Sequence, residues 1–258
     1  MVLEWAAVLA AGFWAGMINV VVGSGTLVTF PVLLLFGYPP LVANISNNIG
    51  LVGGNLSGVF GYRRELAGKR SLARVLLPAA TLGGVTGSVL LLVLPPEAFR
   101  AVVPVLILLG LVMVVAGPAV QRRAARRGGG VAADGMSGRR TAAVAAGVFV
   151  LGVYGGYFGA AQGILLVGLL GLLTAESLQS LNAVKNLLVT GVNAIAAAVF
   201  LLVAWEYVDW GVVALVAVGA TLGGLVGARV GRRLPPTLLR TVIVVVGGAA
   251  LVNLVFFS

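Results

Sequence analysis

A few short stretches carry polar chemistry inside otherwise apolar sequence. "ANISNNIG" (Ala43–Gly50) and "LNAVKNLL" (Leu181–Leu188) each set two asparagines four residues apart, Asn44 with Asn48 and Asn182 with Asn186. On a helix such pairs share a face. Lys185 lies between the second pair, about 12 Å into its apolar segment at 1.5 Å per residue. Charged side chains at that depth are expensive and point to function. The third stretch, Gly23-Ser24-Gly25, interrupts an apolar run, and Ala161-Gln162-Gly163 interrupts another. A helix that restarts inside a membrane presents free backbone N–H groups and the positive end of its dipole, which suits an anion. Glycine lets a ligand approach the backbone closely. The candidate substrate-binding residues are therefore Ser24, Gly25, Asn47, Asn48, Gln162, Gly163, Lys185 and Asn186. Lys185 supplies charge; amides and backbone N–H groups orient an oxyanion. Asn19, Asn55 and Asn193 suit hydrogen bonding between helices. Tyr154 and Tyr157 offer hydroxyl donors or packing surface.

The elements that hold these residues must be membrane helices. Of 258 residues 60% are hydrophobic and 9% charged, with a mean hydropathy of +1.12, whereas a soluble domain has about 25% charged residues. Segments near the 20 residues needed for a span run over Val2–Val22, Leu41–Tyr62, Leu72–Leu94, Ala98–Gly117, Thr141–Ala161, Ser177–Ala204, Trp210–Ala228 and Thr237–Phe256. Two more, Leu27–Phe36 and Ile164–Leu173, are only about half that length and follow the interruptions. The N-terminal run has no basic leader and is expected to be a first membrane segment rather than a cleaved signal. An Arg- and Gly-rich stretch, Gln121–Arg140, is the expected flexible linker. The expected fold is all-α and polytopic: residues 1–120 form one repeat, 121–140 a basic cytoplasmic linker, and 141–258 the second repeat.

The halves match internally. A shift of 138 brings Gly25 onto Gly163, Asn44 onto Asn182, Asn48 onto Asn186 and Asn55 onto Asn193; a shift of 140 brings "ATLGG" at Ala80–Gly84 onto "ATLGG" at Ala220–Gly224. Lys185 falls on Asn47, so the repeat breaks at its most charged point. Charge then orients the halves. The loop bearing Arg63, Arg64, Lys69, Arg70 and Arg74 is expected on the cytoplasmic side, and its mate Trp205–Trp210, with two acids and no base, outside. Equivalent loops carry opposite signs, so the two repeats of about five segments each are expected to be inverted, with a broken or re-entrant helix in each half. With this arrangement 15 of the 17 Lys and Arg face the cytoplasm.

Composition also excludes classes. There is no cysteine and no histidine, hence no disulfide, thiol chemistry or Cys/His metal site. Paired intramembrane carboxylates are missing, so general acid–base machinery is hard to find and no enzyme is expected. The net charge of +10 sits in loops between apolar segments, which argues against nucleic-acid binding. No cofactor and no metal are called for. The expected partners are a small anion and the lipid bilayer, with a homodimer open.

The two glycine-rich stretches with their apolar runs, Gly16–Gly37 and Gly155–Gly171, each followed by a polar-containing helix, resemble the TauE/SafE family of membrane permeases over nearly the whole chain. The chain departs from the family pattern where Ser24 and Thr26 interrupt the first glycine run, Ala160-Ala161-Gln162 replaces most of the second, and Leu169 stands opposite Pro31. The resemblance implies transport of sulfite, organosulfonates or similar oxyanions across the cell (cytoplasmic) membrane. An anion channel on the same scaffold and a carrier of non-sulfur organic anions are the alternatives.

Overall fold

Residues 2–126, 137–174, 176–230 and 236–256 are described by a computed structural model, and among them every regular element is helical. The first half runs α1 (Val2–Val21), α2 (Thr26–Leu35), α3 (Pro40–Gly61), α4 (Arg63–Ala67), α5 (Arg70–Val93) and α6 (Pro96–Arg126). The second runs α7 (Gly138–Tyr157), α8 (Gln162–Leu173), α9 (Leu178–Val203), a single 3₁₀ turn (Trp205–Tyr207), α10 (Trp210–Val230) and α11 (Pro236–Phe256). Both interruptions are real breaks, and both short helices form. The basic loop after α3 differs from expectation in containing a one-turn-plus helix, α4. The expected linker is helical at its start, because α6 continues to Arg126; residues 127–136 of it lie outside the described residues.

Among the described residues six helices are long and apolar enough to cross a membrane: α1, α5, the Pro96–Ala119 part of α6, α9, α10 and the Thr237–Leu254 part of α11. The α3 helix is long but more polar. Its Asn44, Asn47 and Asn55 are buried against other helices, so the polarity faces inward. Large apolar side chains such as Phe60, Leu82, Val105 and Leu202 are instead exposed. That distribution inverts a soluble protein and suits a hydrocarbon solvent.

Packing follows the repeat. α1 lies on α10 as α7 lies on α5; α3 meets α10 as α9 meets α5; α2 meets α11 as α8 meets α6. At the centre α3 meets α9, and α6 meets α11. The two halves thus exchange their outer helices.

Small residues permit the tightest of these crossings. A Cβ on Gly16 would lie 2.6 Å from Ala220 Cα, and one on Gly227 3.0 Å from Met17 Cα. At the equivalent crossing a Cβ on Gly152 would lie 3.1 Å from Gly83 Cα. The contacts are backbone to backbone, so no side chain can swing away to make room. Gly16→Leu should therefore cost at least about 2 kcal/mol, read as a lower melting temperature in detergent. Gly68→Leu, at a position with open space around it, should stay within about 0.5 kcal/mol. Equal shifts for the two would contradict the close crossing of α1 and α10.

Candidate functional site

The two breaks are built alike and meet. α1 ends at Val21, and Gly23 turns the chain with φ +89°; α7 ends at Tyr157, and Gly159 does so with φ +76°. The Gly23 N–H reaches back to Ile18 O at 2.9 Å and the Gly159 N–H to Tyr154 O at 3.0 Å. Both are left-handed helix endings that only glycine enters without strain. The equivalent residues of the breaks are thus Gly23 and Gly159, 136 apart, rather than the 138 that pairs Gly25 with Gly163. Gln162 and Gly163 accordingly begin α8 instead of lying in the break.

The tips then touch. The Gly163 N–H donates to Gly23 O at 3.0 Å. A Cβ on Gly163 would lie 2.6 Å from Gly23 Cα and 2.9 Å from Lys185 Cδ, so the aliphatic part of Lys185 lies across the place where the breaks cross. Its ammonium reaches past them and donates to the carbonyls of Asn19 and Val20, both at 3.0 Å. These are last-turn carbonyls of α1, which have no partner within the helix, and they form the negative end of its dipole. Asn186 Nδ2 lies 3.5 Å from Val20 O. In the other direction Asn44 on α3 donates to Tyr157 O, the end of α7, at 3.0 Å. Each broken helix is capped by the third helix of the opposite half.

Asn19 has two tasks. Its Oδ1 accepts the Gly25 N–H at 2.6 Å, capping the start of α2, and its Nδ2 donates to Asn55 Oδ1 at 3.0 Å. The donors at the start of α2 are therefore largely used internally: Leu27 N–H goes to Ser24 O, Val28 N–H to Gly25 O. The Tyr154 hydroxyl donates to Ala160 O at 2.6 Å and so holds the second break. Phe30 packs edge-on against Phe158 at 5.1 Å between ring centroids, joining α2 to that same break.

Of the candidate residues, Gly163, Lys185 and Asn186 gather with Ser24 and Gly25 around the end of α1. Lys185 is 0% exposed. Asn47 instead accepts from the Thr29 hydroxyl, tying α2 to α3. Gln162 Nε2 turns toward α7 and donates to Leu151 O at 3.0 Å. Asn48 is half-buried. Ser24 Oγ, Asn48 Oδ1 and Gln162 Oε1 are buried with no hydrogen-bond partner, and a buried polar atom left this way calls for an explanation. Asn19 and Gly23 are central here and were not among the candidates. The available signal was position: Asn19 sits in the last turn of the first segment, and Gly23 opens its interruption.

Charge at the site is unbalanced. Glu176, the acid nearest Lys185 in sequence, pairs with Lys69 at 2.6 Å. The two acceptors of Lys185 are neutral carbonyls, and an ammonium has three donors. The centre of the molecule thus holds a buried lysine amine on two broken helices that touch at their tips, within an apolar helical shell. The family model described as "Sulfite exporter TauE/SafE" matches residues 8–254.

The chain belongs to the TauE/SafE family.

It is therefore a membrane transporter by family. Among relatives, a "Probable membrane transporter protein ORF9" of Sinorhizobium sp is 28% identical over 95% of this chain and 89% of that protein. A "Probable membrane transporter protein" of Haemophilus influenzae is 27% identical over 93% of this chain and 90% of its own length. "Probable membrane transporter protein YfcA" of Escherichia coli K12 is 26% identical over 95% and 87%. These matches span both halves and both breaks of the TauE/SafE chain.

The double role of Asn19 makes it the residue on which the first break depends. Asn19→Ala should cost about 2 kcal/mol by leaving the Gly25 N–H and the Asn55 amide without their partner. Asn55→Ala, which spares the Gly25 cap, should cost less. The double variant should fall short of the sum, because the two residues share one bond. Chemical denaturation in detergent micelles would show this ordering, and an Asn55→Ala loss equal to that of Asn19→Ala would contradict it.

Proposed function

We propose that this TauE/SafE protein is a secondary transporter that carries a small oxyanion, sulfite or an organosulfonate, across the cytoplasmic membrane by alternating access. The observation that carries the reading is Lys185: wholly buried, hydrogen-bonded to neutral carbonyls, and paired with no acid among the described residues. An uncompensated ion in a low-dielectric interior costs several kcal/mol. A bound anion removes that cost. Ser24 adds a buried hydroxyl with no hydrogen-bond partner, free to donate to an anion.

Several contacts agree with inverted repeats. The swapped packing of the halves is one. Another is the placement of ties between loops: Tyr38 donates to Glu4 at 2.8 Å, joining the start of α1 to the turn after α2. Arg140 Nε donates to Leu173 O at 3.0 Å, joining the start of α7 to the end of α8. Each half thus folds its broken helix back as a hairpin, and the hairpins enter from opposite sides if the charges of their loops obey the positive-inside rule. In this reading residues 121–140 form the cytoplasmic connection. Because Lys185 is sealed from both faces, substrate access requires the halves to move, as in other carriers built on inverted repeats. A channel would need a continuous path past this residue.

Reconstituted into liposomes, the parent protein should move radiolabelled sulfite with a rate that saturates. Lys185→Ala should reduce uptake at low sulfite at least about 30-fold, the scale of removing one partner from a buried charge pair. Undiminished, saturable flux in Lys185→Ala would remove the lysine from the mechanism. Flux that never saturates would turn the reading toward a channel.

A further inference from the structure

Outside the central site, α4, α5 and α9 enclose an open cleft of about 490 Å³. Its rim carries Arg63, Arg70 and Arg74, and its wall is Leu77, Pro78 and Leu187. Arg70 and Arg74 are one turn apart on the first two turns of α5, so they project from one face. Both are exposed, and neither is held in an ion pair among the described residues. Arg63 is fixed from below: its guanidinium donates to Phe60 O at 3.0 Å and stacks 4.2 Å from the Phe60 ring centroid. The neighbouring basic residue, Lys69, already has its acid in Glu176. Three arginines therefore line one cleft, none of them in an ion pair among the described residues.

The apolar part of the cleft is equally informative. Below the arginines the outward face of α5 continues through Val75, 43% exposed, and Leu82, 63% exposed. α5 is a membrane span, so its first turns lie at headgroup level and Leu77 and Pro78 at the level where acyl chains begin. A free inorganic anion would use the charges and leave the apolar wall open. A phosphodiester joined to two acyl chains satisfies both parts: the guanidinium forks bind the phosphate bidentately, and the chains lie along Leu77, Pro78 and Leu187. Basic pockets between membrane helices recognise anionic lipid headgroups on this principle.

We propose that this cleft is a binding site for one anionic glycerophospholipid of the leaflet on the arginine-bearing face. The site is separate from the transported anion and does not depend on what that anion is. It joins α4 and α5 of the first half to α9, the helix that carries Lys185, so lipid occupancy holds together elements of both halves.

The test uses the full chain, purified and stripped of lipid in a mild detergent, titrated with phosphatidylglycerol, phosphatidylcholine or inorganic phosphate. Retained lipid is counted by native mass spectrometry and stability by thermal melting. Phosphatidylglycerol should bind and raise the melting temperature; phosphatidylcholine and inorganic phosphate at equal concentration should not. Each arginine removed should weaken phosphatidylglycerol binding about fivefold, so R74Q should show one such step and R70Q/R74Q two. R70K/R74K should recover part of the loss. R139Q, an equal charge loss at the exposed start of α7, should bind as the parent does. Parent-like binding by R70Q/R74Q, an equal loss in R139Q, or an equal shift with inorganic phosphate would each overturn the proposal. Should the double variant fold poorly, the single step in R74Q against R139Q decides.

Discussion

A helix that stops inside a membrane leaves backbone groups that water cannot reach, and the centre of this molecule is organised around satisfying them. The carbonyls at the end of α1 go to the Lys185 ammonium. The donor at the start of α2 goes to Asn19. The donor at the start of α8 goes to the carbonyl of Gly23 across the crossing. The end of α7 takes the amide of Asn44. In hydrocarbon each unsatisfied group would cost several kcal/mol, so these four contacts determine which helices must be neighbours. Three of the four cross between the halves, and the Asn19 cap of α2 lies within the first.

That constraint also explains why the repeat is broken where it is. Asn44 can cap α7 with one neutral amide. At the equivalent end of α1 the chain uses a lysine, which adds a full charge to what a neutral donor would have accomplished. Capping alone did not require that charge. Its matching position in the first half, Asn47, serves a local bond to Thr29 instead. The asymmetry places one buried lysine amine, with no acidic partner among the described residues, where the two hairpins meet. Moving the hairpins apart would expose the carbonyls of α1 together with the ammonium, so an anion that engages the lysine acts on the same contacts that hold the halves in register.

Much of this was legible in the sequence. Composition and segment length gave the helical membrane class, and glycine interruptions flanked by short apolar runs located both breaks. The depth of Lys185 in its segment anticipated its burial. What escaped was register and partnership. Matching Gly25 to Gly163 by residue type placed the second break two residues late, because the true signal is backbone conformation at Gly23 and Gly159 rather than side-chain identity. The partners of Lys185 are carbonyls, which every residue carries, so no pattern of residue types could name Asn19 and Val20. Gln162 was expected to help orient the anion through its amide, yet its nitrogen serves Leu151 O on α7. The short helix α4 was hidden by its charges, which suggested a loop; these same charges make it one wall of the arginine cleft.

The account stands or falls on whether the buried ammonium recruits the solute. An experimental structure determined in saturating sulfite addresses this directly. Anion density within hydrogen-bonding distance of Lys185 Nζ, with the Ser24 hydroxyl turned toward it, is the predicted result. Sulfite bound elsewhere, with Lys185 still donating only to Asn19 and Val20, would show the lysine to be a helix cap and nothing more.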